Sequence, residues 1–222
     1  MPAKAKKAPR VGQFPKPVAG AKSAAELFGD GTPPTTTRQR LLETALEMFY
    51  IDGFHAVGLD RILAEVGISK QAFYKHFESK DDLATQALKL RDQRETEAFS
   101  RQVQQRSGGD PGKALLAIFD VLDEWFNHPD YQGCLFLTAC AEFPSPNDPI
   151  HRAAADNYKT AEADLEKIAA AAGADDPKAL ARELVTLSQG AVTRRLVFGD
   201  NNAAKVAREL GELAIKRRIR AR

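Results

Sequence analysis

Apolar residues recur along this chain at the spacing of amphipathic helices. In the segment 59–66 they fall at i, i+3, i+4 and i+7, which places them on one helical face: Leu59, Ile62, Leu63 and Val66. Gly67 follows, where a left-handed helix end costs glycine little, and Ser69 is suited to cap another helix. The pattern predicts two short helices joined by a tight turn.

The second of these helices, from Lys70, has two different faces. At 100° per residue, four polar positions share one arc of roughly 140°: Lys70, Gln71, Tyr74 and Lys75. Phe73 points elsewhere, toward the interior. One side of the helix therefore suits a polyanion and the other suits a core.

An earlier amphipathic helix supplies the apolar surface that two short helices need. It ends before Gly53 and carries Leu41, Leu42, Ala45, Leu46 and Phe49. Downstream, Ser79 and Asp82 have the spacing of a capping box, so a new helix is predicted to begin there with Lys80 in its first turn.

Helix signals continue to the end of the chain. An aspartate before a proline marks a helix start three times: Asp110-Pro111, Asp148-Pro149 and Asp176-Pro177. With glycines and prolines as stops, six more helices are predicted, from 79 to about 106, then to 126, 133–143, 149–172, 177–198 and 202–218. No strand is predicted, so the fold class is all-α.

The run GLDRILAEVGISKQAFYKHFESKDDL resembles the DNA-binding domain of TetR-type (TetR/AcrR family) transcriptional regulators. The resemblance implies a three-helix head with a helix-turn-helix, over 38–83, and a six-helix regulatory and dimerisation body, over 84–222. Residues 1–37, rich in Ala, Pro, Lys and Gly, are expected to form a flexible basic tail, which either reaches a minor groove or is merely solvated.

The family resemblance also implies how the head would meet DNA, with the helix from Lys70 to His76 in the major groove of a two-fold symmetric operator. The positions expected at base edges are Lys70, Gln71, Ala72 and Lys75, and those expected at phosphates are Ser69, Tyr74, His76 and Lys80. The chemistry agrees, because Gln pairs with adenine, Lys donates to guanine and an alanine methyl touches thymine. The lysines could instead be solvated charges, and His76 could pack on the neighbouring helix. Gly58 stands where many members carry Ser or Thr, so this position has no hydroxyl for the phosphate contact that those members make.

Bodies of this family bind small effectors and dimerise. Residues expected to line a largely apolar effector site are Phe99, Phe119, Trp125, Phe126, Phe136, Cys140, Phe143, Tyr158 and Gln189, although each aromatic also suits an ordinary core. Residues expected at a homodimer interface between the last two helices are Leu184, Leu187, Ala191, Val206, Leu210 and Leu213, although these stripes could instead face their own body. The helix from Ser79 is expected to transmit the effector's influence to the head.

Composition adds limits to this interpretation. The 222 residues are 43% hydrophobic and carry a net charge of only +2, so the argument for DNA rests on local pattern. The two cysteines form neither a disulfide framework nor a zinc pattern, which favours a reducing cytoplasm and predicts no metal. No stretch is as long as a membrane span, and no signal peptide is evident.

Two rival classes of function remain. An enzyme is disfavoured, because the sequence has no phosphate-binding glycine loop and no close His or Cys cluster, and no catalytic residue or cofactor is predicted. A helical module that binds a protein through its basic face is the other alternative. Salt dependence of duplex binding separates that module from a DNA reader.

Overall fold

Nine α-helices and no strand make up the part of the chain that the computed structural model describes, residues 33–129 and 131–219. The helices are α1 (Thr37–Asp52), α2 (Leu59–Val66), α3 (Lys70–Phe73), α4 (Lys80–Ser107), α5 (Pro111–Phe126), α6 (Leu135–Glu142), α7 (Pro149–Ala171), α8 (Pro177–Phe198) and α9 (Ala203–Arg218). The all-α prediction is confirmed. Residues 1–32 of the predicted tail lie outside the described residues.

Helix starts are fixed by local caps. Each of the three aspartates before proline accepts a backbone N–H of the first helical turn: Asp110, Asp148 and Asp176. Thr36 and Gln39 form a reciprocal capping box at the start of α1. Ser79 accepts the N–H of Asp82, whereas the Asp82 carboxylate accepts the N–H of Glu78 rather than that of the cap residue. The predicted helix start is confirmed, but the box is displaced by one residue.

The turn between α2 and α3 has the predicted geometry. Gly67 is left-handed, with φ of 75°, and its N–H closes the last turn of α2 on the carbonyl of Leu63. The Ser69 hydroxyl accepts the N–H of Ala72 at 3.2 Å and caps α3. A non-glycine residue at position 67 would be strained in this backbone conformation.

A first hydrophobic core joins the head to part of the body. It contains apolar side chains of α1, α2 and α3 together with Leu83, Ala84, Ala87 and Leu88 of α4. It continues without interruption into α6 and the start of α7, through Leu135, Phe136, Ala139, Ile150 and Ala154. The head, which was predicted to end at residue 83, therefore shares one core with the body.

A second core holds the rest of the body together, where α5, α7, α8 and α9 meet. The last helix approaches α5 closely at Gly211, where an added Cβ would lie 2.7 Å from a ring atom of Phe119. Only glycine permits this approach. Among the described residues, no helix is long and apolar enough to cross a membrane.

Candidate functional site

The candidate DNA-reading surface is the outer face of α3 and the turn after it. Six of the predicted contact residues are exposed on it: Ser69, Lys70, Gln71, Tyr74, Lys75 and His76. Ala72 is half-buried, and Phe73 and Phe77 are fully buried beneath it. The structure thus brings the predicted base-contacting and phosphate-contacting side chains together on one exposed surface, with the aromatic rings below.

The helix under this surface is shorter than expected. It ends at Phe73, and the next three residues form turns in which the N–H groups of Lys75 and His76 donate to carbonyls only three residues back. Such a tighter turn is common at a helix end. It keeps the side chains up to His76 on the exposed surface, although the prediction of a helix as far as His76 was wrong.

Lys70 is paired with a carboxylate in this structure. Its ammonium lies 3.0 Å from Asp60, and the hydrogen bond to Asp60 raises the lysine's pKa. Both side chains are more than half exposed, and exposed pairs contribute little free energy. Lys70 is therefore available to exchange this carboxylate for a nucleic-acid oxygen.

Lys80 differs from the other predicted contacts because its ammonium is used inside the head. It donates to the carbonyls of Phe54 and Val57, at 2.8 and 3.0 Å. These carbonyls belong to the loop between α1 and α2, and Lys80 is only half exposed. Its first role is to fasten that loop to the start of α4, which sequence reasoning missed.

A cavity of about 550 Å³ lies in the body, between α4, α5, α7 and α8. Five predicted effector residues line it: Phe99, Trp125, Phe136, Tyr158 and Gln189. The remaining lining residues were not predicted, and they include the aliphatic side chains of Val103, Ile118, Leu122, Leu165 and Ile168. Aliphatic residues at helical spacing carry no sequence signal that distinguishes a cavity wall from a packed core.

Four residues predicted for the effector site do not line the cavity. Phe119 is buried against Gly211. Phe126 packs against Trp125 and Tyr131, with ring centroids 5.7 and 5.6 Å apart. Cys140 packs against the first core. Phe143 lies beyond α6, stacked on the His55 ring at 4.7 Å. Aromatic content alone does not tell which side of a helix faces a void, so the sequence did not separate these four residues from the five that line the cavity.

One group of polar side chains lines the cavity where α4, α6 and α7 meet. Glu95 lines the wall and is ion-paired with the buried Arg91, yet burial still raises its pKa. The Tyr158 hydroxyl lies 3.5 Å from the Cys134 sulfur, and burial raises the pKa of that thiol. This part of the wall therefore offers a neutral thiol, a hydroxyl and one ion-paired carboxylate. Other polar side chains line the cavity elsewhere, among them Asn157, Asp164 and Gln189.

Tyr50, near the end of α1, contacts the Arg91 side chain that pairs with Glu95. The Tyr50 hydroxyl accepts the N–H of Gln132 at 3.0 Å, and the Arg91 guanidinium lies 5.1 Å from the centre of its ring. Burial raises the pKa of Tyr50 to about 12, so its hydroxyl is neutral at physiological pH. The end of α1 is thereby held against the same residues that support the cavity.

The predicted dimer residues divide into two groups. Leu184 and Ala191 are buried within their own chain and Leu187 is half-buried, so the expectation that Leu184 and Ala191 face a partner was wrong. On α9, by contrast, Val206 and Leu210 are each 48% exposed and Leu213 is 63% exposed. Val197 and Phe198 at the end of α8 are also exposed. The outer face of α8 carries Thr186, Gly190 and Thr193, whereas its inner face lines the cavity through Val185, Ser188 and Val192.

Two family models match this chain. Residues 41–87 match the model described as bacterial regulatory proteins, tetR family. Residues 111–210 match the model described as tetracyclin repressor-like, C-terminal domain. The first covers the reading surface and the second covers most of the cavity and the outer face of α8 and α9.

Individual relatives agree with these matches. The chain is 26% identical over 176 residues to the HTH-type transcriptional regulator YjdC of Escherichia coli, covering 79% of this chain and 91% of that protein. It is 34% identical over 107 residues to the HTH-type transcriptional activator FasR of Mycolicibacterium smegmatis, covering 47% of each. Among solved structures, SCO4454, a TetR-family transcriptional regulator from Streptomyces coelicolor, superposes with a TM-score of 0.72 at 31% identity, covering 82% of this chain and 95% of that one.

The contacts of Lys80 generate a prediction that separates it from Lys75. Lys80→Ala removes two charge-assisted hydrogen bonds, so the free energy of unfolding is expected to fall by about 1.5–3 kcal/mol in urea denaturation. Lys75→Ala, at an exposed position, should change it by less than about 0.5 kcal/mol. Equal stability of the two variants would show that the Lys80 contacts do not support the head.

Proposed function

Since the chain belongs to the TetR family of bacterial transcriptional regulators, we propose that it is a ligand-responsive repressor that binds a palindromic operator as a homodimer. The observation that carries this proposal is the exposed polar face of α3 above two buried phenylalanines, in a chain that also encloses an apolar cavity. The named relatives are transcriptional regulators rather than enzymes.

The side chains on α3 support direct reading of base edges. Gln71 can present a donor and an acceptor to adenine, and Lys70 and Lys75 can donate to guanine O6 and N7. All three are exposed, and Lys70 would exchange its pairing with Asp60 for the contact in the groove. Ser69, Tyr74 and His76 flank them at positions suited to phosphate oxygens, which fix register without carrying sequence information.

A two-fold arrangement is supported by the small size of this surface and by the apolar stripe on the outer face of α9. One short helix reads only a few base pairs, and pairing two heads about one DNA turn apart is the usual remedy. Val206, Leu210 and Leu213 form an apolar stripe on α9, beside small residues on α8 that allow close approach. Two copies joined there would form a four-helix interface.

The cavity supports an effector that is mostly apolar. Its volume of about 550 Å³ lies within the usual range of small-molecule sites, and its wall is mainly aliphatic and aromatic. An effector that favours one arrangement of the body would alter operator affinity by a coupling of about 1–3 kcal/mol. FasR bears the name of an activator, so a reporter gene placed behind the operator decides the sign of regulation.

The DNA proposal is tested with a duplex selected from a random pool. We expect the selected sequence to be a palindrome. Gln71→Ala should weaken binding to it by about 1–3 kcal/mol and relax preference at one base position in each half-site. Lys89→Ala, an exposed lysine on α4 away from α3, is the matched control and should leave sequence preference unchanged.

An absence of any preferred duplex would contradict the proposal, as would a preference that Gln71→Ala and Lys75→Ala both leave intact. Binding insensitive to salt would point to the protein-binding module instead, because neutralised phosphates release counterions.

The dimer face is tested by a matched pair of substitutions. Leu210→Arg puts a charge in the apolar stripe and should convert the dimer to a monomer in sedimentation equilibrium, with loss of operator binding. Ile51→Arg in the head makes the same chemical change at a side chain that is likewise 48% exposed, and should leave the mass unchanged. A Leu210→Arg protein that still sediments as a dimer would place the interface elsewhere.

The effector site has a built-in reporter, because the sequence contains a single tryptophan and Trp125 lines the cavity. Neutral apolar compounds that bind there should shift Trp125 fluorescence and lower operator affinity about five- to one-hundredfold. Trp125→Phe removes the optical signal and controls for quenching by the compounds themselves. Compounds that shift the fluorescence yet leave operator affinity unchanged would mean that the cavity is not a sensor.

A further inference from the structure

One carboxylate of the body holds the backbone of the head. Glu142 is the last residue of α6, and its side-chain oxygens accept the N–H groups of Phe54 at 3.0 Å and His55 at 2.6 Å. The His55 Nδ1 atom lies 2.6 Å from the same oxygen that accepts the His55 N–H. Phe54 and His55 belong to the loop between α1 and α2, so these contacts cross from body to head.

The glycine before these residues is required for the approach. At Gly53, φ is 83°, and an added Cβ would lie 2.5 Å from a Glu142 oxygen. Any other residue would therefore both strain the backbone and displace the carboxylate. The loop and the glutamate side chain are fitted to each other.

The loop held by Glu142 is tied directly to the reading unit. The carbonyls of Phe54 and Val57 accept the Lys80 ammonium, and Lys80 begins the helix that follows the reading surface. The Phe54 ring is fully buried and stacks on Phe49 at 4.7 Å. Movement of this loop would therefore move both ends of the helix-turn-helix.

The opposite end of α6 lies at the cavity. Cys134, its cap residue, and Phe136, in its first turn, both line the wall. The helix has eight residues and spans about 12 Å at 1.5 Å per residue. One short rigid element thus contacts the cavity at one end and the head loop at the other.

From this arrangement we propose that Glu142 is a positioning residue for DNA recognition, and that α6 links the cavity wall to the reading surface through it. The cavity end of the link rests on the proposed function. This route reaches the helix-turn-helix through the loop before it, which Lys80 also ties to the start of α4. Glu142 itself contacts no DNA.

The first experiment compares two duplexes, the selected operator and a scrambled sequence of equal length. Glu142→Ala is expected to weaken operator binding about tenfold, because each head must be ordered at the moment of binding, while scrambled-duplex affinity stays within about twofold. Glu142→Gln keeps one amide oxygen for a backbone N–H and should fall between the wild type and Glu142→Ala. Glu124→Ala, which removes an exposed glutamate of α5 paired with Arg106, is the matched control.

The ratio of the two affinities separates positioning from simple loss of folded protein. A variant that only unfolds part of the sample would lower the apparent affinity for both duplexes alike, which would overturn the proposal. An unchanged ratio in Glu142→Ala would overturn it as well. If the wild type itself does not prefer any duplex, the proposed function fails together with this role.

The second experiment follows the backbone amides of Phe54 and His55 by hydrogen exchange. Both should exchange faster in Glu142→Ala than in the wild type and in Glu124→Ala. Binding of Nile red, a neutral apolar dye whose emission reports its own binding, should change these exchange rates in the wild type and leave them unchanged in Glu142→Ala.

Nile red that binds the wild type without changing the exchange of Phe54 and His55 would remove the cavity end of the link. A failure of Nile red to bind would overturn the apolar effector site and the link to it. In that case the comparison of duplexes still decides whether Glu142 positions the head.

Discussion

A helix of four residues cannot persist on its own hydrogen bonds, so the reading surface depends on the burial of Phe73 and Phe77. The two rings stack 5.8 Å apart in the first core, and the Arg38 guanidinium of α1 lies 5.1 Å from the centre of Phe77. Burial of the Phe73 ring restricts rotation of the neighbouring backbone. Gln71 and Lys75 are therefore presented outward by the packing of residues that never meet solvent.

The packing that fixes these rings is not confined to the head. Leu135, Phe136 and Ala139 of α6 belong to the same core as α1 and α2. Polar contacts reinforce this union, since Arg94 of α4 donates to both oxygens of Glu43 on α1 at 2.8 and 2.5 Å. The orientation of the reading surface is consequently a property of the whole arrangement of α1, α4 and α6.

Much of this fold could be predicted from the sequence because its signals are local. The starts at Pro111, Pro149 and Pro177 follow from capping aspartates, and the glycine stops follow from backbone geometry. The exposed face of α3 follows from helical periodicity. The length of α3 could not be predicted from periodicity. The helix ends at Phe73 because the last turn tightens, and many residue types tolerate such a turn.

The remaining features depend on residues far apart in the chain. Glu142 lies 88 residues from Phe54 in the sequence. Lys80 donates to backbone carbonyls, which every residue carries, so the sequence gives no sign of this contact. A cavity wall and a packed core use the same apolar side chains, and only the presence or absence of atoms opposite decides between them. Phe99 and Phe119 were therefore indistinguishable by sequence, although one lines the cavity and the other fills the space above Gly211.

The shared core also determines what could be exchanged between regulators of this kind. A chimera that joins the first three helices to the body of another regulator would expose apolar surface of the head. In this chain that surface is covered by Leu135, Phe136, Ile150 and Ala154. The smallest transplantable recognition module is consequently discontinuous in sequence. It comprises α1 to the first turns of α4, together with α6 and the beginning of α7.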